Sequence, residues 1–474
     1  MPSRPLVVDL DGTLIRSDVL IESGFAYLKG APHRFYEPLL WLARGGKSGL
    51  KARLADATNV DITVLPYDAT VLEWLKAERD TGRTLVLATA SHERYAQAIS
   101  DHLGLFDKTF ATSDSVNLSA HNKREKLVAE YGEKGFDYAG NSRDDVAVWQ
   151  SAERAYVVNP SSGVERAARK LGNVERVIES RPPVAKTWAK SLRLHQWLKN
   201  LLIFVPLLAA HEWSSPELVV AAVLAFLTFG LCASSVYLLN DLVDLEDDRH
   251  HPVKRKRPLA AGALPITSGL GLFPVLLVGA FVAAWALLPW HFSVVLLGYY
   301  ALTLGYSMFL KRQVMVDVIV LAMLYTSRII AGTAAIGGHL TFWLLGFSMF
   351  IFLSLALVKR YAELHSMKER GVDKTRGRGY VGSDLPLISS LGTSSGYLAV
   401  LVLALYIQDA KTTSLYHHPQ VIWLACPLLL FWISRTWLLA HRGSMHDDPI
   451  VFAARDRVSL VVVALCGVIF WAAT

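Results

Sequence analysis

From about Asn200 to the end, the sequence is dominated by apolar runs of membrane length, and a hydrocarbon core about 30 Å thick takes helices of roughly 20 such residues. Nine runs stand out, near 199–211, 217–240, 268–289, 291–310, 314–336, 340–359, 394–409, 419–440 and 458–474. The first and last are short for a span. The loops between them orient the set, because cytosolic loops carry the excess of Lys and Arg. With the N-terminal part placed in the cytosol, the cytosolic loops hold Arg249, Lys254, Arg255, Lys256 and Arg257. They also hold Lys311 and Arg312, then Lys359, Arg360, Lys368, Arg370, Lys374, Arg376 and Arg378, then Arg442, Arg455 and Arg457. The opposite loops hold only Lys411. This asymmetry predicts nine spans with the C-terminus outside, in a bacterial-type inner (plasma) membrane.

Residues 1–180 read as an ordinary soluble domain instead. "MPSRPLVVDLDG" lacks the apolar core of a secretory signal, so this domain is expected in the cytosol. The net charge of +7 is concentrated in loops between apolar runs, whereas nucleic-acid binders show a basic face on a soluble domain; no nucleic-acid partner is expected. Cys232, Cys426 and Cys466 all fall inside apolar runs and show neither metal spacing nor a disulfide framework. Residues 181–198 join the two parts. Pro182 and Pro183 break regular structure there. Trp188, Leu192 and Trp197 among Lys186, Lys190, Arg193 and Lys199 predict an amphipathic helix on the inner leaflet. The expected domains are therefore 1–180, 181–198 and 199–474.

In the soluble part, "PLVVDLDGTL" is an apolar strand ending in two aspartates. Side chains alternate along a strand, so Asp9 and Asp11 share a side. Such a pair suits phosphoryl transfer, with one carboxylate attacking phosphorus and the other protonating the leaving oxygen. Three further pieces follow in order. "RTLVLATAS" ends a second strand at Thr89, whose hydroxyl suits a phosphate oxygen. "HNKREKLVAEYG" offers Lys123 to neutralise phosphate charge. "FDYAGNSRDDVAVW" offers Asn141 and Asp145 as Mg²⁺ ligands. The ordered set resembles the haloacid dehalogenase-like phosphohydrolase superfamily over residues 1 to about 175. The resemblance implies a Rossmann-like α/β domain with a small helical cap between Ile15 and about Asp80, and Mg²⁺ held by Asp9, Asp11, Asn141 and Asp145. One departure is that Asn141 stands where the family usually has an aspartate, which leaves open an active phosphatase or a retained scaffold.

The stretch "YLLNDLVDLEDDRHHPVKRKRPLAAG" closes the second apolar run. At about 100° per residue on a helix, Asp244 lies about 60° and Asp248 about 20° from Asp241. The three carboxylates then share a face bordered by Asn240, while Glu246 and Asp247 point away. Three acids on one face repel one another, and a divalent cation shared with phosphate is the natural remedy. The plain alternative is a solvated loop. Lys254 and Arg257, in the basic run that follows, suit the remaining phosphate charge.

"NDLVDLEDD" fits the NDxxDxxxD signature of the UbiA-type intramembrane prenyltransferase superfamily. The resemblance implies an all-α nine-helix transmembrane domain, and Mg²⁺ with a substrate diphosphate on Asn240, Asp241, Asp244 and Asp248. The family's second acidic motif, DxxxD, survives here only as Asp317, with Leu321 four residues later. Lys311 precedes it and Arg328 lies in the span. Asp317 and Arg328 are about three turns apart and are expected to share a face, and an arginine inside a span is usually functional. Asp317 is kept as a metal candidate. Lys199, Lys311, Arg328, Lys359, Arg360 and Glu363 are kept as substrate candidates, with Lys359 and Glu363 spaced to brace one helix. Arg378 and Tyr380 continue the cationic cluster.

Together with "LRLHQWLKNLLIFVPLLAA", "LKRQVMVDVIVLAMLYTSRIIAG", "LVKRYAELH" and "DPIVFAARDRVSL", these features resemble the decaprenyl-phosphate phosphoribosyltransferase branch. That resemblance implies transfer of 5-phosphoribose from phosphoribosyl diphosphate to a polyprenyl phosphate. Two phosphate-bearing substrates would account for one acid fewer and several cations more. The alternative is transfer of a prenyl group from a prenyl diphosphate to an aromatic or other acceptor. A transporter is the rival of another class. Its substrate site would lie near the midplane between internal repeats, whereas no repeat is visible here and the acids cluster at the cytosolic ends.

Overall fold

The computed structural model describes residues 4–113, 117–369, 379–409, 416–445 and 448–474. The chain divides into two compact units. The first comprises residues 1–192 and 238–272; the second comprises 193–237 and 273–474. The acidic stretch that closes the second apolar run therefore belongs with the soluble residues.

The first unit is built on six parallel strands, β1 (Leu6–Val8), β2 (Leu85–His92), β3 (Lys108–Thr112), β4 (Asp137–Gly140), β5 (Ala155–Val158) and β6 (Val174–Ile178), in the order β3-β2-β1-β4-β5-β6. Alternation along each strand sends neighbouring residues to opposite faces. Leu6, Val8, Leu85 and Leu87 pack with Ile99 and Leu75 on one side, and Val7, Val86 and Ala88 pack with Trp149 and Phe136 on the other. Strand order reverses direction at β1, so the crevice for a ligand opens at the carboxyl ends of β1 and β4. Asp9 directly follows β1, and Asn141 directly follows β4.

Between β1 and β2 lie α1 (Val19–Gly30), α2 (Glu37–Ala57) and α3 (Ala69–Asp80). The Asp18 carboxylate accepts from Leu20 N and Ile21 N and so starts α1; Asp68 does the same for α3. α1 and α2 form the expected cap. α2 kinks at Gly46, whose φ of +62° suits a residue without Cβ. The remaining helices of the sheet domain are α4 (Glu93–Leu103), α5 (Ala120–Tyr131), α6 (Val146–Ser151) and α7 (Val164–Arg169). The linker forms α8 (Val184–Ser191), which starts just after Pro182 and Pro183.

The nine apolar runs are all helical among the described residues. A tight 3₁₀ stretch, Leu194–Phe204, leads into α9 (Val205–Ala209), followed by α10 (Pro216–Val243), α11 (Leu245–His250), α12 (Ile266–Leu287), α13 (Trp290–Met308), α14 (Val316–Ala335), α15 (Phe342–Glu369), α16 (Leu385–Ile407), α17 (Ala425–His441), α18 (Pro449–Ala453) and α19 (Arg457–Ala473). Among the described residues, six segments are long and apolar enough to cross a membrane, rather than nine. Leu194–Ala209 and Arg457–Ala473 are too short. α13 has the length, but Trp290, His291, Tyr299, Tyr300 and Tyr306 dilute its apolar character. α16 also begins earlier than its apolar run suggested.

In the second unit, α12 exposes Val275, Val278, Val282 and Trp285 along one stripe, the pattern of a lipid-facing helix. α14 is the most enclosed of the six. Helices in lipid gain little from burying apolar surface and associate through close packing instead. At Gly332 in α14, a Cβ would meet the Ile203 carbonyl oxygen at 2.1 Å, so only glycine lets the 194–204 segment lie this close.

Within the first unit, Glu22 of α1 receives a bidentate pair from Arg249 of α11, at 2.6 and 3.0 Å. Both side chains are nearly sequestered, and Ser17 Oγ also donates to Glu22. Removing one partner of a buried pair strands the other charge, at a cost of about 3–5 kcal/mol, whereas an apolar pair of similar volume costs far less. Glu22→Ala should therefore lower the first thermal transition of the full chain in detergent, and the E22A/R249M double variant should recover most of the loss. A double variant no better than E22A would show that the pair is not what stabilises this contact.

Candidate functional sites

The first constellation lies at the carboxyl ends of β1, β2 and β4. Lys123 of α5 donates to Asp9 Oδ1 at 2.7 Å and to Tyr138 Oη at 3.0 Å. Tyr138 in turn donates to Asp145 Oδ1 at 2.8 Å. Asp11 accepts from Ser91 Oγ at 2.7 Å, from Val19 N at 2.8 Å and from Thr89 Oγ1 at 3.4 Å. Asp9, Asp11, Thr89, Lys123 and Asp145 are thus brought together, as the sequence predicts. Gly12 is required at this turn: its φ is +77°, and a Cβ would stand 2.1 Å from Asn141 Nδ2.

Burial is the largest influence on both leading aspartates. It raises Asp9 to about 7, with Lys123 opposing and Asp145 and Asp11 adding to the rise. It raises Asp11 to about 6, helped by Asp18 and opposed by the Val19 N–H and Ser91. Burial alone would lower Lys123, but Asp9 and Asp145 outweigh it and its pKa rises. Two buried carboxylates, Asp9 and Asp145, and the half-buried Asp11 thus surround one lysine. That excess of negative charge fits a divalent cation.

The assignment of Asp145 changes in one respect. Its Oδ2 accepts from Asn141 N, Ser142 N and Ser142 Oγ at 2.9, 2.9 and 3.0 Å. With Tyr138 on its other oxygen, it organises the turn after β4. Asn141 Oδ1 is approached by Thr13 Oγ1 at 3.4 Å. Ser91 and Tyr138 were missed by sequence reasoning. Ser91 stands two residues after Thr89, on the same side of the strand, which was the available signal.

The second constellation is the acidic stretch, also in the first unit. α10 ends at Val243, and Asp244 has left helical geometry (φ −91°, ψ 13°) before α11 begins. The expected unbroken face of three carboxylates is therefore not formed. Arg257 instead bridges two of them, reaching Asp241 Oδ1 at 3.1 Å and Asp248 Oδ2 at 2.5 Å. Asp241 and Asp248 are 3% and 1% exposed, which is why they demand a cation; Asp244 is half-buried. Glu246 and Asp247 are exposed, and Asn240 is half-buried with its carbonyl accepting from Asp244 N. Burial pushes the Asp248 carboxyl up, and Arg257 opposes it. Asp248 Oδ1 has no hydrogen-bond partner, and only the Lys254 ammonium lies near, at 3.9 Å. A buried carboxylate oxygen left open beside a second carboxylate fits a divalent cation. Among the described residues, however, no three His, Cys, Asp or Glu side chains converge on one point.

The second unit holds two further clusters. In one, Asp448 accepts from Lys199 at 2.8 Å, from Lys359 at 3.2 Å and from Tyr325 Oη at 2.9 and 3.0 Å. Burial would raise Asp448, but Lys359 and Lys199 hold its carboxyl well below the usual range. Asp448 was missed as a site residue. It starts the quoted stretch "DPIVFAARDRVSL" and also caps α18 through Ile450 N.

In the other, Asp317 is fully buried, ion-paired with Arg360 Nη2 at 2.5 Å and accepting from Tyr380 Oη at 2.6 Å. The sequence offers it as a metal ligand; here a guanidinium and a phenol hydroxyl approach it, and its Oδ2 has no hydrogen-bond partner among the described residues. Nor does it pair with Arg328. That guanidinium donates to Asn200 Oδ1 at 3.0 Å and lies among the rings of Phe229, Tyr299 and Tyr325. Lys359 pairs with Asp448, and Arg360 with Glu363. Lys311 is half-buried in the Leu310–Arg312 turn. Arg370, Lys374, Arg376, Arg378 and Lys411 lie outside the described residues.

The family model described as the UbiA prenyltransferase family matches residues 201–472. The chain is 37% identical over 470 residues to an uncharacterized protein, y4nM, of Sinorhizobium fredii, covering 98% of this chain and 90% of that one. It is 33% identical over 291 residues to decaprenyl-phosphate phosphoribosyltransferase of Mycobacterium tuberculosis, covering 60% of this chain and 91% of that one. The N-terminal region resembles haloacid dehalogenase-family hydrolase structures, one from Salmonella enterica among them (12% identity over 38% of this chain and 68% of that one, TM-score 0.28).

The raised carboxyls set a sign for pH and metal. Asp9 and Asp11 bind protons more tightly folded than unfolded, so in metal-free protein their contribution to stability falls as pH rises from the ordinary 3.8 towards about 7. Metal binding must displace those protons at low pH. The Mg²⁺-induced rise in melting temperature of the full chain should therefore be larger at about pH 8 than at about pH 5.5, and Asp9→Asn should shrink that difference. An unchanged difference in the variant would remove Asp9 from any metal site.

Proposed function

Because the chain belongs to the UbiA prenyltransferase family, we propose that it transfers 5-phosphoribose from phosphoribosyl diphosphate to a polyprenyl phosphate, and that its N-terminal domain then removes the 5-phosphate. The observation that carries the reading is the distribution of charge. The second acidic motif of the family is reduced to Asp317, and Arg360 and Tyr380 occupy it. Two lysines, Lys199 and Lys359, gather instead on Asp448. A site with one acidic motif and added cations suits two phosphate-bearing substrates better than one. The likeness to the Mycobacterium tuberculosis decaprenyl-phosphate phosphoribosyltransferase, over nine-tenths of that protein's length, supports phosphoribosyl transfer to a polyprenyl phosphate.

In this reading Asp241 and Asp248, with Asp244 and Asn240 beside them, would hold Mg²⁺, and Arg257 would exchange its carboxylates for phosphate oxygens. Bound Mg²⁺ would neutralise the departing diphosphate. The paired positive charge of Lys199 and Lys359 in the second unit suits the acceptor phosphate. One of its oxygens bonds to the anomeric carbon as the bond from that carbon to diphosphate breaks. No base is needed, since the acceptor is already an anion. In the phosphatase site Asp9 attacks phosphorus, Lys123 and Thr89 steady the phosphate oxygens, and Asp11 gives its proton to the leaving sugar oxygen. A carboxyl raised to about 6 by burial is suited to that donation. The excess of Lys and Arg in alternate loops supports cytosol-facing sites in an inner membrane.

The test is incubation of the full chain with labelled phosphoribosyl diphosphate, polyprenyl phosphate and Mg²⁺. Label should become lipid-soluble, and Asp241→Asn or Asp248→Asn should lower kcat/KM by about a hundredfold or more. Asp9→Asn should leave transfer intact while the lipid product keeps its 5-phosphate. No lipid label, with transfer from a prenyl diphosphate to an aromatic acid, would establish the prenyltransferase reading instead. Unchanged 5-phosphate release by D9N would sink the phosphatase assignment alone.

A further inference from the structure

The basic run 254–257 does not serve one site. Residues Lys254–Lys256 form a 3₁₀ turn, in which positions three apart lie over one another. Lys254 and Arg257 therefore face the same way, towards Asp248 and Asp241. Arg255 and Lys256 are turned elsewhere. They line a recess of about 700 Å³ within the first unit, and its other cations are Arg16, Lys186, Lys190 and Arg249. No Asp or Glu lines it.

Not all six charges are available. Arg16 is paired with Asp68, and Arg249 with Glu22. Lys190 donates to the Lys256 carbonyl at 2.7 Å. Lys186, Arg255 and Lys256 are exposed and have no ion-pair partner among the described residues. Like charge is crowded here: burial and then neighbouring Arg16 push the Arg181 guanidinium down. Pro66, Pro182 and Pro258 stand in the walls and fix the backbone around it. Such a gathering of like charge on a stiffened frame costs free energy unless an anion occupies it. The volume is that of an ordinary small-molecule site.

We propose that this recess binds a phosphate-ester anion, at a site separate from the Asp241–Asp248 pair. Lys186, Arg255 and Lys256 make the primary contacts, and Arg16, Lys190 and Arg249 close the electrostatic wall. The phosphate can come from the headgroup of an anionic phospholipid or from a free phosphorylated compound. Both present oxygens that accept from ammonium and guanidinium groups.

The experiment compares the full chain with the triple variant K186Q/R255Q/K256Q. Inorganic pyrophosphate, titrated calorimetrically in detergent with EDTA, probes the free anion. Phosphatidylglycerol in phosphatidylcholine vesicles, counted on the extracted protein by native mass spectrometry, probes the headgroup. The variant should lose about tenfold or more in one of the two. Loss of pyrophosphate binding assigns the site to a free phosphate, and loss of retained phosphatidylglycerol assigns it to lipid. Both signals unchanged would overturn the proposal. If the triple variant melts early, the single variants K186Q and R255Q make the same comparison, with a smaller loss expected from each.

Discussion

Arg257 holds two carboxylates that have almost no contact with water, and the need it meets recurs throughout the chain. A carboxylate taken out of water costs several kcal/mol unless a cation and hydrogen bonds replace the solvent. Lys123 meets that need for Asp9, Arg360 for Asp317, Lys199 and Lys359 for Asp448, and Arg249 for Glu22. The pairs differ in how completely they are closed. Asp317, paired with Arg360 and Tyr380 where neither charge meets water, braces α14 against α15, although its Oδ2 also lacks a hydrogen bond among the described residues. Asp248 keeps one oxygen open and Lys254 remains half-exposed beside it. A cation bound to an incompletely satisfied carboxylate can exchange it for a phosphate, and a metal can take the cation's place. The same electrostatic debt therefore yields bracing where both partners are sequestered and binding capacity where the cation still meets water.

The phosphatase-like site was legible because strands carry their geometry in the sequence. Period-two alternation grouped Asp9 with Asp11, although β1 itself ends at Val8 and the pair lies just beyond it. The parallel order β2-β1-β4 then set the ends of three strands next to one another, so motifs spread from Asp9 to Asp145 converge without further information. Helical stretches gave less. The arithmetic that grouped Asp241, Asp244 and Asp248 assumed an unbroken helix, and the chain leaves helical geometry at Asp244. The same assumption paired Asp317 with Arg328 along α14, although helices on either side offered each a nearer partner. Asp448 was hidden by distance along the chain, 249 residues from Lys199. Composition located all nine apolar helices but not which are long enough to span.

One continuous set of contacts in the first unit links the two acidic motifs. Asp11 accepts from Val19 N, the first residue of α1. One turn later, Glu22 of the same helix clamps Arg249. Arg249 directly follows Asp248, which shares Arg257 with Asp241. A short helix and two buried ion pairs thus stand between the proton donor of the proposed phosphatase and the proposed diphosphate site. None of these links is a flexible tether. A flexible linker raises the encounter rate between two sites by confining them to a common volume. A chain of buried pairs fixes their separation as well. Fusion of the two proposed activities would then do more than co-localise them: α1 sets the distance between the motif where the phosphorylated sugar would be joined to its lipid and the pocket where its phosphate would be removed.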